Sequence, residues 1–214
     1  MFDKYLRALG ETLMMVTSAC AIVFAVGLLL AVVLVVTAPG GLAPRPRLNR
    51  GLSVVVNLFR AVPFIILLVA LLPVTRWIVG TTMGTWAAVV PLAVHLIPFF
   101  ARVTQVGLRE IEPGLIEAAR AMGCRRWHIV RHVLLPEALP AILGGATVTV
   151  IAMVGASAMA GAVGAGGLGD LAVRYGYERY ETSVMFNVIV ILVALVTLVQ
   201  FAGERLARRV DHRR

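Results

Sequence analysis

Residues Glu110–Pro140 read EIEPGLIEAARAMGCRRWHIVRHVLLPEALP and form the longest hydrophilic stretch of the chain. The surrounding sequence is of a different kind. Trp77–Ala101 carries one ionisable residue, His95, and Ala138–Gly169 carries no charge. Runs of this length cross a hydrocarbon layer about 30 Å thick at about 1.5 Å per residue. The hydrophilic stretch is therefore a loop between membrane spans. The whole composition agrees. Of 214 residues, 60% are hydrophobic and 14% charged, where a soluble domain carries about 25% charged residues. A soluble enzyme, a disordered chain and a disulfide scaffold are excluded. Cys20 and Cys124 form no CxxC pair or metal spacing and read as two unpaired thiols.

Outward from the loop, the hydropathy pattern predicts five spans, at 12–36, 54–75, 77–101, 140–161 and 182–203. The first is too long for a signal-peptide core, so it stays in the mature protein. Pro63 and Pro73 interrupt the second; Pro91 and Pro98 interrupt the third. The fourth is expected to end near Gly161, where the glycine-rich GAVGAGGLGDL begins. This is an all-α integral membrane protein with a single transmembrane domain over 1–214.

The formal net charge is +9, and in such a chain the excess orients the protein. Arg45, Arg47, Arg50 and Arg60 follow span one. Arg102, Arg109, Arg120, Arg125, Arg126 and Arg131 follow span three, and Arg205, Arg208, Arg209, Arg213 and Arg214 end the chain. The opposite side keeps Lys4, Arg7, Arg76, Arg174 and Arg179. The richer side is expected to be cytoplasmic, with the N-terminus outside and the C-terminus inside. Nucleic-acid binding is not the reading of this charge.

Within the loop 102–136, Pro113 suits a helix first turn and Gly123 a helix stop. Leu115, Ile116, Ala119 and Met122 recur at roughly helical spacing, with Glu117 and Arg120 on the other side. A short amphipathic helix follows. It can lie on anionic lipid, pack on its own spans, or dock into a partner's groove.

The spacing Glu117-Ala118-Ala119, three residues, Gly123, nine residues, then Val133-Leu134-Leu135-Pro136 resembles the EAA motif of ABC importer permeases. Val133 stands where isoleucine is usual. The stretches NLFRAVPFIILL (57–68), VGTTMG (79–84), LLPEALPAI (134–142), GAVGAGGLGDL (161–171) and QFAGERL (200–206) resemble the permease subunit of methionine ABC importers. That resemblance implies a type I importer permease fold, a homodimer, and a coupling helix seated in each of two ABC ATPase subunits. It also implies an extracytoplasmic binding protein that delivers a small amino acid. ATP and Mg would be bound by the ATPase and no cofactor by this chain, in a bacterial inner membrane. Glu117, Ala118, Ala119, Gly123, Leu135 and Pro136 are then the coupling residues. Ala118 and Ala119 would allow close approach to the ATPase, and Glu117 would cap or pair locally.

The chain has no G-x-x-x-x-G-K-[ST] loop and no catalytic constellation or metal cluster in its sequence. Its G-x-G-x-x-G, at Gly164, Gly166 and Gly169, follows a transmembrane run and not a strand, so the dinucleotide reading fails. The glycines read as a flexible break, with close helix approach as a second role. For the substrate path, Gly155, Ala156, Ser157 and Met159 of span four are candidates, against ordinary small-residue packing. A Met159 gate would suit a thioether. His95 satisfies the backbone freed by Pro91, joins the path or serves as a proton relay. Thr147, Thr149, Ser157, Asn187 and Gln200 are expected to bond between helices.

Three rival readings remain. The first is the same machine for another small solute. The second is a proton-coupled secondary transporter, which needs intramembrane carboxylates; no Asp or Glu falls inside the expected spans. The third is a membrane anchor without transport.

Overall fold

The structure is a computed structural model and describes residues 2–210. Arg213 and Arg214, counted above for orientation, lie outside the described residues. Eleven α-helices are described: α1 Phe2–Val36, α2 Pro46–Ala61, α3 Phe64–Ala70, α4 Leu72–Val79, α5 Thr85–Arg109 and α6 Pro113–Ala121. They continue with α7 Arg126–Ile129, α8 Leu135–Glu137, α9 Leu139–Ala160, α10 Gly167–Leu171 and α11 Thr182–Val210. Widened π turns occupy Val130–Leu134, Gly161–Ala165 and Ala172–Tyr177.

Four of these helices are long and apolar enough to cross a membrane; a bent pair raises the number to five. The expected second span, 54–75, is not one helix. Pro63 cannot follow an α-conformed residue without a clash, so Val62 turns extended (φ −79°, ψ 124°). Helices α2 and α3 meet there at 102°, and α4 restarts after Leu71. The third helix also differs from 77–101. Trp77–Val79 close α4, and Gly80 (φ 84°) and Gly84 (φ 90°) make the turn, so α5 starts at Thr85 and runs on to Arg109. Hydropathy passed through this turn because Gly80–Gly84, GTTMG, carries no charge. Helix α1 extends ten residues before the expected start, and α11 extends beyond 203 to Val210.

The core lies where α1, α3, α5 and α9 meet. Met15, Ala19 and Val23 of α1 pack with Phe64 and Leu68, with Leu92, Leu96 and Phe100, and with Met153 and Ala160. Lipid is as apolar as leucine, so such contacts gain from close fit. Gly27 supplies it: a Cβ there would lie 2.8 Å from Phe100 Cδ1 and 3.2 Å from the Ile97 carbonyl oxygen. The hydroxyls of Thr147, Thr149 and Ser157 are satisfied inside α9, not between helices. Thr147, Thr149 and Ser157 donate to the carbonyls of Leu143, Gly145 and Val154, as Ser and Thr do in apolar helices. Gln200 bonds Glu204 within α11. Asn187 does reach across, donating to Tyr5 Oη at 3.2 Å.

Candidate functional site

Helix α6 holds the first group of candidate residues. Pro113 occupies its first turn. Its end is a Schellman motif: the Cys124 amide donates to the Ala119 carbonyl and the Gly123 amide to Arg120, with Gly123 left-handed at φ 76°. The predicted apolar face divides. Ile116 and Ala119 pack on a cluster of Ala31, Ala101, Leu108, Ile111, Ile129 and Leu134. Leu115 and Met122 point outward, Met122 with 76% of its surface exposed. Glu117 and Ala118 are exposed beside them. Ala119 is only 3% exposed, so it roots the helix and does not face a partner. Glu117 neither caps nor pairs among the described residues.

Arg120 is turned away from Glu117. Its guanidinium donates at 3.0 Å to the Gly41 carbonyl in the turn after α1. A cleft of about 450 Å³ between that turn and α6 is lined by Val36, Leu42, Ile111, Pro113 and Ile116. Removing the guanidinium should loosen α6 by roughly 1 kcal/mol, the net value of an ordinary hydrogen bond. Arg120→Ala is therefore expected to speed amide exchange over 113–121 without affecting the core of α5.

Leu135 and Pro136 are not on the α6 surface. Leu135 packs against the apolar cluster and Pro136 is exposed at the joint into α9. The π turn Val130–Leu134 absorbs the register change that a proline imposes there.

The path candidates are also divided. Gly155 and Met159, four residues apart, face out of the bundle, Met159 with 55% exposure. A Cβ on Gly155 or on Gly144 would meet nothing within 4 Å. Ala156 and Ser157 face inward, Ala156 into the core. His95 faces the Phe64 ring at 5.2 Å, and its Nδ1 is buried without a hydrogen bond. It therefore does not satisfy the carbonyl freed by Pro91, contrary to the expected structural role. No described hydrogen bond or ring contact joins His95 to Met159.

The glycine-rich stretch is a packed hairpin at the end of the bundle where α1 begins. Gly164, Gly166 and Gly167 all have positive φ. Gly169 lies against the backbone of Ala158, and a Cβ there would sit 2.6 Å from Ala158 Cα. The Gly84 amide donates to the Gly164 carbonyl. Close approach is thus observed together with a break, the chain leaving helical geometry at Val163 and Gly164. Sequence reading passed over the two side chains that hold this hairpin. Glu11 Oε2 accepts from the Gly167 amide at 2.8 Å, and Thr12 Oγ1 accepts from the Leu168 amide at 2.9 Å. The available signal was a Glu-Thr pair at the start of an apolar run. Glu11 lies inside α1, one residue before the expected first span, and Arg7 pairs with it at 3.0 Å. Nearby, Lys4 donates to the Tyr175 hydroxyl at 3.1 Å, and that bond with the ammonium charge holds the phenol below its usual range.

Comparison with known proteins agrees with this architecture. Residues 27–212 match the family described as binding-protein-dependent transport system inner membrane component. A Vibrio cholerae protein, described as a probable D-methionine transport system permease protein MetI, is 51% identical over 99% of this chain and 94% of its own length. A Bacillus subtilis protein, described as a methionine import system permease protein MetP, is 41% identical over 84% of this chain and 81% of its own. A crystal form of the MetNI methionine ABC transporter, inward facing, superposes with TM-score 0.98 and 51% identity over 99% of this chain and 98% of that one. The helical bundle with its exposed α6, and the match over most of the chain, make this protein a member of the binding-protein-dependent transport system inner membrane components.

Proposed function

We propose that this chain is the transmembrane permease subunit of an ATP-driven importer for methionine, as the L form, the D form or both. It works as a homodimer with two ABC ATPase subunits, which bind ATP and Mg and hydrolyse the nucleotide. An extracytoplasmic binding protein delivers the solute. The membrane is the bacterial inner membrane, with the N-terminus outside and α6 in the cytoplasm, the side that the arginines favour.

The observation that carries this reading is α6 itself. It is rooted through Ile116 and Ala119 yet presents Leu115, Glu117, Ala118 and Met122 outward. A short helix with an outward apolar edge fits a partner groove. Glu117, Ala118 and Gly123 are the coupling residues, and Leu135 and Pro136 carry the joint that links them to α9. The outward face of α9, with Gly144, Gly155 and Met159, is the face turned to the second copy and the solute. Small residues there allow two helices to approach or leave space between them. The names of the relatives support methionine as the solute.

The test is uptake of labelled L- and D-methionine into proteoliposomes holding this chain with its ATPase, its binding protein and ATP. Uptake that requires all three proteins is expected. ATP hydrolysis stimulated by the binding protein without methionine uptake would keep the importer and discard the solute. Uptake driven by a proton gradient alone would overturn both.

A further inference from the structure

Helix α1 is continuous from Phe2 to Val36, roughly 50 Å at 1.5 Å per residue. It makes a specific polar joint at each end. At its far end, the turn after Val36 offers the Gly41 carbonyl to Arg120 of α6. Near its start, Glu11 and Thr12 accept from two consecutive amides of the 161–171 hairpin. The cradle is tight. A Cβ on Gly166 would lie 2.7 Å from Glu11 Oε2, and one on Gly167 would lie 2.6 Å from Thr12 Oγ1. The hairpin in turn backs onto α9: Gly169 touches Ala158, the neighbour of Met159. Between the joints α1 packs along α5 more extensively than any other helix pair.

We propose that α1 is a connecting rod between the coupling helix and the hairpin that backs the solute path. Glu11 and Thr12 are positioning residues at its outer joint. A shift of α6 pulls the 37–45 turn through Arg120. The helix, held straight by its own hydrogen bonds, moves Glu11 and Thr12 with it. Because both accept from hairpin amides, the hairpin and the Ala158–Met159 turn follow. Arg7 holds the Glu11 carboxylate in place from one turn earlier. The transport readout of this proposal rests on the function proposed above; its exchange readout does not.

The test uses the full transporter carrying Glu11→Ala, Glu11→Gln, Thr12→Val or Arg120→Ala. Amide exchange of Gly167 and Leu168 is expected to quicken roughly tenfold or more in Glu11→Ala, as when a charged acceptor is lost. Glu11→Gln keeps an acceptor oxygen but loses the charge and the Arg7 pair, so its exchange should fall between the native chain and Glu11→Ala. Thr12→Val keeps the shape and should quicken Leu168. ATP consumed per methionine imported should rise at least about threefold in Glu11→Ala and Thr12→Val. A double variant of Glu11→Ala with Arg120→Ala should be no worse than the worse single one, since one rod broken at either end is broken. Independent sites roughly 40 Å apart would instead add. Additive effects, or faster exchange with an unchanged ATP-to-solute ratio, would overturn the proposal. If Glu11→Ala fails to assemble, the ratio in Thr12→Val decides. If the native chain imports no methionine, the function fails, while the exchange result still judges the joint.

Discussion

Gly169→Ala is expected to remove most of the folded protein from the membrane. The methyl carbon would lie 2.6 Å from Ala158 Cα and closer still to the Ala158 carbonyl oxygen. Both are backbone atoms of α9, so no side chain can swing aside. Overpacking costs about 1–3 kcal/mol where side chains yield, and more where backbone must move. The displaced hairpin would also lose its bonds to Glu11 and Thr12. Gly10→Ala serves as comparison: it is also helical, and a Cβ there meets nothing within 4 Å. An alanine at such a site is expected to be neutral or stabilising by roughly 0.5–1 kcal/mol. Yield and melting temperature of the purified protein check the pair. Equal values for the two variants would show that the hairpin yields easily.

Gly123→Asp is expected to do the opposite, keeping the fold and losing the coupling. Gly123 has no neighbour within 4 Å of an added Cβ, so there is room for a side chain. Its φ of 76° costs an ordinary residue about 1–2 kcal/mol, though aspartate tolerates this region better than most. The protein should therefore reach the membrane in near-native amount. The new carboxylate, however, stands next to Met122 on the surface proposed for the ATPase. An unpaired charge covered by a partner costs roughly 2–5 kcal/mol, so uptake should fall at least about tenfold. Hydrolysis by the ATPase should continue, no longer stimulated by the binding protein. Native uptake by this variant would remove Gly123 from the coupling surface.

Helix α6 was legible because its determinants are local. Pro113 and Gly123 delimit it by backbone geometry that needs no tertiary partner, and the Glu117–Pro136 spacing runs along one stretch. Which of its residues face a partner was not legible. Spacing put Leu115, Ile116, Ala119 and Met122 on one apolar face, and only the cluster around Ile111 and Leu134 turns Ile116 and Ala119 inward while Leu115 and Met122 stay outside. The same limit applies to span four. Met159 and Ser157 are two residues apart, and which of them faces the core depends on where α5 and α11 lie.

The sequence by itself determined that this chain crosses a membrane as helices, because long apolar runs leave the backbone no other way to satisfy its hydrogen bonds. It also determined the hydrophilic loop and its short helix. Pro63 marked the break at Val62 locally, but only the tertiary structure decided the 102° bend there and the turn at Gly80–Gly84, where the Gly84 amide meets the Gly164 carbonyl. It alone also decided the partner of Arg120 and the burial of the glycine hairpin against α1. These are contacts between residues up to 156 positions apart, and hydropathy, which sums over neighbours in the chain, carries no term for them.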